Sequence, residues 1–134
     1  MPALLVLSLQ VLAAKVAADY GIQRLPPIEV TRAEKRPGVL GTVVYTDSRR
    51  ILRLHIVARP RDGRETVDTV CHELWHVKQI QLGVDHVFRG IPLLDLSETL
   101  RRGYSPNKSL REGEAFYMAR ITVPRYLSWS SKLD

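Results

Sequence analysis

His72-Glu73-Leu74-Trp75-His76 reads H-E-x-x-H, and it stands inside a longer run, Gly63 to Leu82, whose spacing is helical. Val67, Val70, Cys71, Leu74 and Val77 recur at short helical intervals, and Gln81 ends the stripe. That period marks an amphipathic helix with one face toward a core. On such a helix, positions four apart share a face about one turn from each other. His72, His76 and Gln79 fall on a face beside the apolar stripe. The two imidazoles are therefore placed to hold one metal ion between them. Glu73 would sit beside that ion and take a proton from a metal-bound water, the arrangement of a zinc-dependent hydrolase.

Both ends of the run fit a helix. Pro60-Arg61-Asp62-Gly63 breaks the chain before it, and Asp62 is the expected N-cap, with Glu65 three residues on completing a capping box. Gly83 is suited to the position just past the last turn. Upstream, the chain reads as β-structure. Ile28 to Thr31 and Val39 to Thr46 are short strands separated by a Pro37-Gly38 turn, and Asp47-Ser48 is a hairpin turn. In Ile51 to Ala58, Leu52, Leu54, Ile56 and Ala58 alternate with Arg53, His55, Val57 and Arg59, which predicts a half-buried strand of an antiparallel sheet.

Ala3 to Ala18 is rich in Leu, Val and Ala and predicts a mostly buried helix, stopped by Gly21 and Pro26-Pro27. It lacks the basic flank of a signal peptide, Ser8, Gln10 and Lys15 interrupt it, and it is short for a membrane span. Beyond Gly83, Pro92 to Arg102 predicts a helix closed by Gly103. Another, capped by Asn107 or Ser109, runs to about Val123 before Pro124. The tail from Trp129 to Asp134 is expected to be loosely held.

A length of 134 residues suits one domain able to bury a modest core. The single cysteine, Cys71, excludes an internal disulfide and fits a reducing, cytoplasmic compartment. The apolar N-terminus keeps export or membrane association open. Cys71 adjoins His72, but successive helix residues diverge by about 100°, so it reads as a core residue. The formal charge of +6 is spread over the chain and reads as a solvated basic surface, with contact to nucleic acid the lesser alternative.

A hydrolytic zinc site takes three protein ligands and leaves a position for water. His55 and His86 read as structural or surface residues. The third ligand is sought in Arg111-Glu112-Gly113-Glu114-Ala115-Phe116. Glu112 and Glu114, two apart on a helix, cannot face one point. Glu112 is favoured, because Ala115 one turn on would let its helix approach closely. Glu114 is the alternative, which gains if Glu112 instead completes a Ser109-x-x-Glu112 capping box. Tyr104 and Tyr117 are the candidate donors to a developing oxyanion.

His72-Glu73-Leu74-Trp75-His76-Val77-Lys78-Gln79, then Gly103-Tyr104-Ser105-Pro106-Asn107, then Glu112-Gly113-Glu114-Ala115-Phe116, resembles the zincin metallopeptidases with a glutamate third ligand. Among these it is similar to small domains of H-E-L-x-H-V-x-Q type with a later E-x-E-A helix, and more weakly to the ImmA/IrrE peptidases. The resemblance covers roughly Ile51 to Pro124. It implies an α+β zincin-like domain over 1–134: an N-terminal helix within 1–25, a short antiparallel-rich sheet, and a motif-bearing core over 51–124 with an active-site helix and a ligand-bearing C-terminal helix. It also implies Zn²⁺ as cofactor, a peptide or protein substrate, and pairing of the Ile51–Ala58 strand with that substrate. The chain departs from the thermolysin type at Phe116, where an acidic residue orients a histidine ligand. Two other readings compete: a zinc-binding structural or interaction module with little catalysis, and a basic regulatory factor contacting nucleic acid.

Overall fold

The computed structural model describes residues 2–83, 101–104 and 106–134, with residues 106, 107 and 109 described by their backbone alone. The expected helix from Pro92 to Arg102 lies, but for its last two residues, outside the described residues, as do His86 and the side chains of Asn107 and Ser109. In chain order the elements are α1 (Ala3–Asp19), β1 (Ile28–Thr31), β2 (Gly41–Tyr45), β3 (Ile51–Val57), α2 (Gly63–Leu82) and α3 (Pro106–Thr122). Two 3₁₀ turns, Val123–Arg125 and Leu127–Trp129, lead into a final turn, α4 (Ser130–Leu133). The class is α+β, as expected from the pattern of elements.

The sheet is mixed. β3 lies in the middle, parallel to β1 with Ile28 opposite Leu54, and antiparallel to β2 with Gly41 opposite Ile56. The expected alternation along β3 holds only in part. Leu54 and Ile56 are buried on one face, but Leu52 on that face is 43% exposed, and His55 and Val57 on the other face are buried as well. Alternation also carries no information on neighbour direction, so the parallel β1 pair was not legible from it. β2 and β3 form the expected hairpin. Its turn closes through Arg49 N–H to the Thr46 carbonyl (2.8 Å) and places Arg49 at φ 67°. Central placement of β3 also corrects the role expected for Ile51–Ala58. Both of its edges are already hydrogen-bonded, so it has none to offer an added peptide; among the described residues the open edge beside α2 belongs to β2.

α2 is the hub. Val67, Val70, Cys71, Leu74 and Val77 are fully buried against Leu54 and Ile56 of β3, the Leu5–Leu9–Leu12–Val16 stripe of α1, and Ala115 and Ala119 of α3. Burying a Leu or Val side chain contributes roughly 1.5–3 kcal/mol each, so this shared core holds the metal-motif helix in place. α1 buries one stripe rather than most of its surface. Leu4, Leu7 and Val11 keep 73%, 56% and 39% exposure, which corrects the expectation of a mostly buried helix. No helix among the described residues is long and apolar enough to cross a membrane.

The tail is also corrected. Leu133 is fully buried and Trp129 packs on the core, so the last residues are docked rather than loose. The capping of α2 changes with it. Asp62 occupies the N-cap position but makes no side-chain cap hydrogen bond. Arg59 draws both the Asp62 and Glu65 carboxylates to itself. The Gly63 N–H donates instead to Asp134 Oδ1 at 2.5 Å.

Candidate metal centre

α2 and α3 pack side by side through small and apolar residues, and this brings Glu112 over the imidazoles of α2. Glu112 Oε2 lies 2.9 Å from His72 Nε2 and 3.1 Å from His76 Nε2, and the two nitrogens are 3.2 Å apart. Three donor atoms on two helices thus form a nearly equilateral triangle. Zinc bonds of about 2.0–2.1 Å at tetrahedral angles require donor separations of about 3.3 Å, so the donor set and its spacing fit a zinc ion. His72, Glu73 and His76 also offer donor atoms within 4.8 Å of one another. The side chains of His72, His76 and Glu112 are 12%, 17% and 18% exposed, which screens them from bulk water while leaving a path for a small molecule.

The charges reinforce one another. Burial would raise the Glu112 carboxyl, but hydrogen bonds from His72 and His76 and their positive charge outweigh it and hold the carboxyl well below its ordinary range. Burial disfavours the His76 cation, yet the Glu112 hydrogen bond and charge, with help from Glu73 and Gln79, raise its pKa overall. For Glu73, burial dominates and pushes the carboxyl up. His76 and His72 pull it back, and Glu112 adds to the rise. The rise makes the Glu73 carboxylate a better proton acceptor than a fully solvated one.

Glu114 takes a different part from the one weighed for it as an alternative ligand. Two positions from Glu112 on the same helix, it points away from the triangle. It is fully buried and accepts from Trp75 Nε1 at 2.5 Å and Gln79 Nε2 at 3.1 Å. Gln79 Oε1 lies 2.7 Å from His76 Nδ1. Gln79 therefore meets the outer face of one histidine, a function the sequence reading left without an owner. Its position three residues after His76 was the available signal. Phe116, where an acid was missed, packs its ring on His72 with centroids 4.5 Å apart.

Two hollows meet at Gly41, Glu73 and Glu112 and open the triangle in both directions. One, of about 210 Å³, is lined by β2 and by Ile80 and Gln79 of α2. The other, of about 370 Å³, is lined by Asp68, Arg102, Lys108 and Tyr104. These sizes suit a few side chains of an extended ligand. Tyr104 is thus on the wall of the groove, with Lys108 Nζ over its ring at 4.8 Å. Tyr117 is absent from both linings and carries Arg120 over its ring. His55 sits on the sheet face turned away from Leu54 and Ile56, with Nε2 2.9 Å from Thr31 Oγ1. Cys71 is buried in the core, and that burial pushes its thiol up to about 12. Set against protein-family models, curated proteins and solved structures, the chain matches none.

Proposed function

We propose that this protein is a zinc-dependent peptidase with a zincin-like site, in which His72, His76 and Glu112 hold the ion and Glu73 is the general base. The observation that carries this reading is the triangle of Nε2, Nε2 and Oε2 atoms with sides of 2.9, 3.1 and 3.2 Å, with Glu73 beside it. A bound zinc ion would supply Lewis acidity, lowering the pKa of a water toward neutrality and polarising a carbonyl. Glu73 accepts the water's proton and delivers it to the departing amine. Tyr104, on the groove wall, is the proposed donor to the developing charge on the carbonyl oxygen.

The substrate proposed is an extended peptide laid along β2. The Leu40 carbonyl accepts from the Val57 N–H, so by antiparallel alternation the backbone groups of Gly41 and Val43 turn to the open side. Strand addition there would carry a peptide across the triangle.

The test combines metal content with turnover on a mixed peptide library. The reading expects one zinc per chain, lost in His76→Ala. It also expects a Glu73→Gln variant that keeps the zinc while hydrolysis falls by roughly 10²–10⁴ or more. Zinc bound at full stoichiometry with no hydrolysis, and unfolding on its removal, would instead favour the structural-module reading. No zinc under metal-replete conditions would sink both.

A further inference from the structure

A chain of buried polar groups runs from the core to His76, and hydrolysis alone does not require it. It begins at Trp75, whose ring meets Tyr20 of the α1 end edge-on at 5.0 Å. The Trp75 Nε1–H donates to Glu114 Oε1. The Gln79 amide nitrogen lies 3.1 Å from that same oxygen and 3.1 Å from the Arg111 carbonyl. Gln79 Oε1 lies 2.7 Å from His76 Nδ1. Trp75, Gln79 and Glu114 are 3%, 2% and 0% exposed, so water has little access to exchange for any of these bonds.

The direction of each bond follows from donor and acceptor chemistry. An indole N–H only donates, and an ionised carboxylate only accepts. The NH₂ end of Gln79 faces two acceptors, the Glu114 carboxylate and the Arg111 carbonyl. Reversing the amide would press its oxygen against both of them. The Oε1 end must therefore face His76, and an oxygen there can only accept. Nδ1 of His76 must carry a proton to donate to it.

We propose that Glu114, acting through Gln79, is a positioning group that locks the proton of His76 on Nδ1 and so reserves Nε2 for the metal. The proposal rests on the reading of His76 as a zinc ligand and deepens it. Zinc-bound histidines generally need a partner on the other ring nitrogen to fix tautomer and ring orientation. Here a neutral amide makes that contact, and the Glu114 carboxyl oxygen and Arg111 carbonyl behind it set the amide's direction. This gives Glu114 a reason to be ionisable, buried and two residues from Glu112 without being a ligand. The packing of α1 through Tyr20 and Trp75 stands behind the same chain.

The test is the side-chain ¹⁵N spectrum of His76 in metal-free and zinc-loaded protein. Zinc affinity by competition with a chromophoric chelator is measured alongside it, for wild type, Gln79→Leu and Glu114→Gln. Wild type is expected to keep the Nδ1 proton in both forms. Gln79→Leu is expected to lose the single tautomer and bind zinc about 10–100-fold more weakly, with its circular dichroism unchanged. Glu114→Gln keeps the size and the Arg111 carbonyl but replaces one of the two acceptors facing the Gln79 amide. It should shift both readouts the same way by less, and no shift in either would remove Glu114 from the proposal. A neutral wild-type His76 protonated on Nε2, or unchanged zinc affinity in Gln79→Leu, overturns the proposal. Should Gln79→Leu fail to fold, the wild-type spectrum decides. A wild type that binds no zinc yet shows the Nδ1 proton would sink the peptidase reading and leave the positioning chain standing.

Discussion

Gly41 of β2 lies directly against Glu73 of α2: a Cβ built on Gly41 would stand 2.5 Å from Glu73 Cγ and 2.8 Å from Thr69 Cγ2. Contacts that short cannot be kept, so the absence of a side chain at 41 is what lets the sheet edge and the carboxylate share one space. Gly41→Ala is expected to displace Glu73 without touching the three donor atoms. Misplacing a catalytic group by about 1 Å can cost about 10²-fold in rate. The expected outcome is a drop of that order in turnover with zinc affinity unchanged, measured by peptide hydrolysis and chelator competition. Full activity in the alanine variant would mean that β2, rather than Glu73, gives way.

Glu112 and Glu114 make separable predictions because they face different partners. Glu112→Ala removes a donor atom from the triangle. It is expected to weaken zinc binding by well over the roughly 10–100-fold typical of an outer hydrogen-bond partner. Chelator competition reads this directly. Retention of wild-type affinity would remove Glu112 from the ligand set.

The docked tail predicts a stability cost at a site remote from the chemistry. Leu133 is fully buried, so Leu133→Ala should destabilise the fold by about 2–5 kcal/mol. Asp134→Ala removes the acceptor for the Gly63 N–H and should cost about 0.5–2 kcal/mol, the range of a lost helix N-cap. Urea unfolding followed by circular dichroism measures both. A silent Leu133→Ala would return the tail to the loosely held segment that its composition suggests.

His55 predicts a pH dependence. It is buried on the outer face of the sheet, 3.9 Å from Glu29 of β1 and opposite Thr42 of β2. Burial first, then the Lys35 and Arg53 charges, hold its pKa below the ordinary 6.5 against the pull of Glu29. Below 6.5 the unfolded chain therefore binds a proton that the folded chain does not yet bind, and stability falls as pH falls until the folded value is passed. The zinc-loaded protein should lose thermal stability between pH 7.5 and 5, and His55→Gln should flatten that loss. The measurement stops at pH 5 because Glu29, whose pKa is lowered chiefly by Lys35, adds its own loss at lower pH. Equal slopes in the two proteins would clear His55 of the effect.

Much of the framework was readable from spacing. The bounds of α2 at Gly63 and Leu82 follow from a punctuated 3.6-residue period. His72 and His76 share a face for the same reason. Helix geometry allowed only one of Glu112 and Glu114 to face the site, and Ala115, fully buried in the shared core, was the reason to favour Glu112. What escaped reading involved partners far apart in sequence. Asp134 caps a helix that starts 71 residues earlier. Arg59 takes Glu65 out of its expected capping box, because a nearby guanidinium competes for the carboxylate that a backbone amide would otherwise attract.

Local geometry was enough to establish which residues of α2 could face a metal, because helix spacing depends only on neighbours along the chain. Strand order, the identity of the open edge, the fit of Gly41 on Glu73 and the course of hydrogen bonds from Trp75 to His76 depended on packing. Each joins segments whose meeting is set by burial of a common core and by the need of every buried donor to find an acceptor. Neither condition has a period that can be read along the chain.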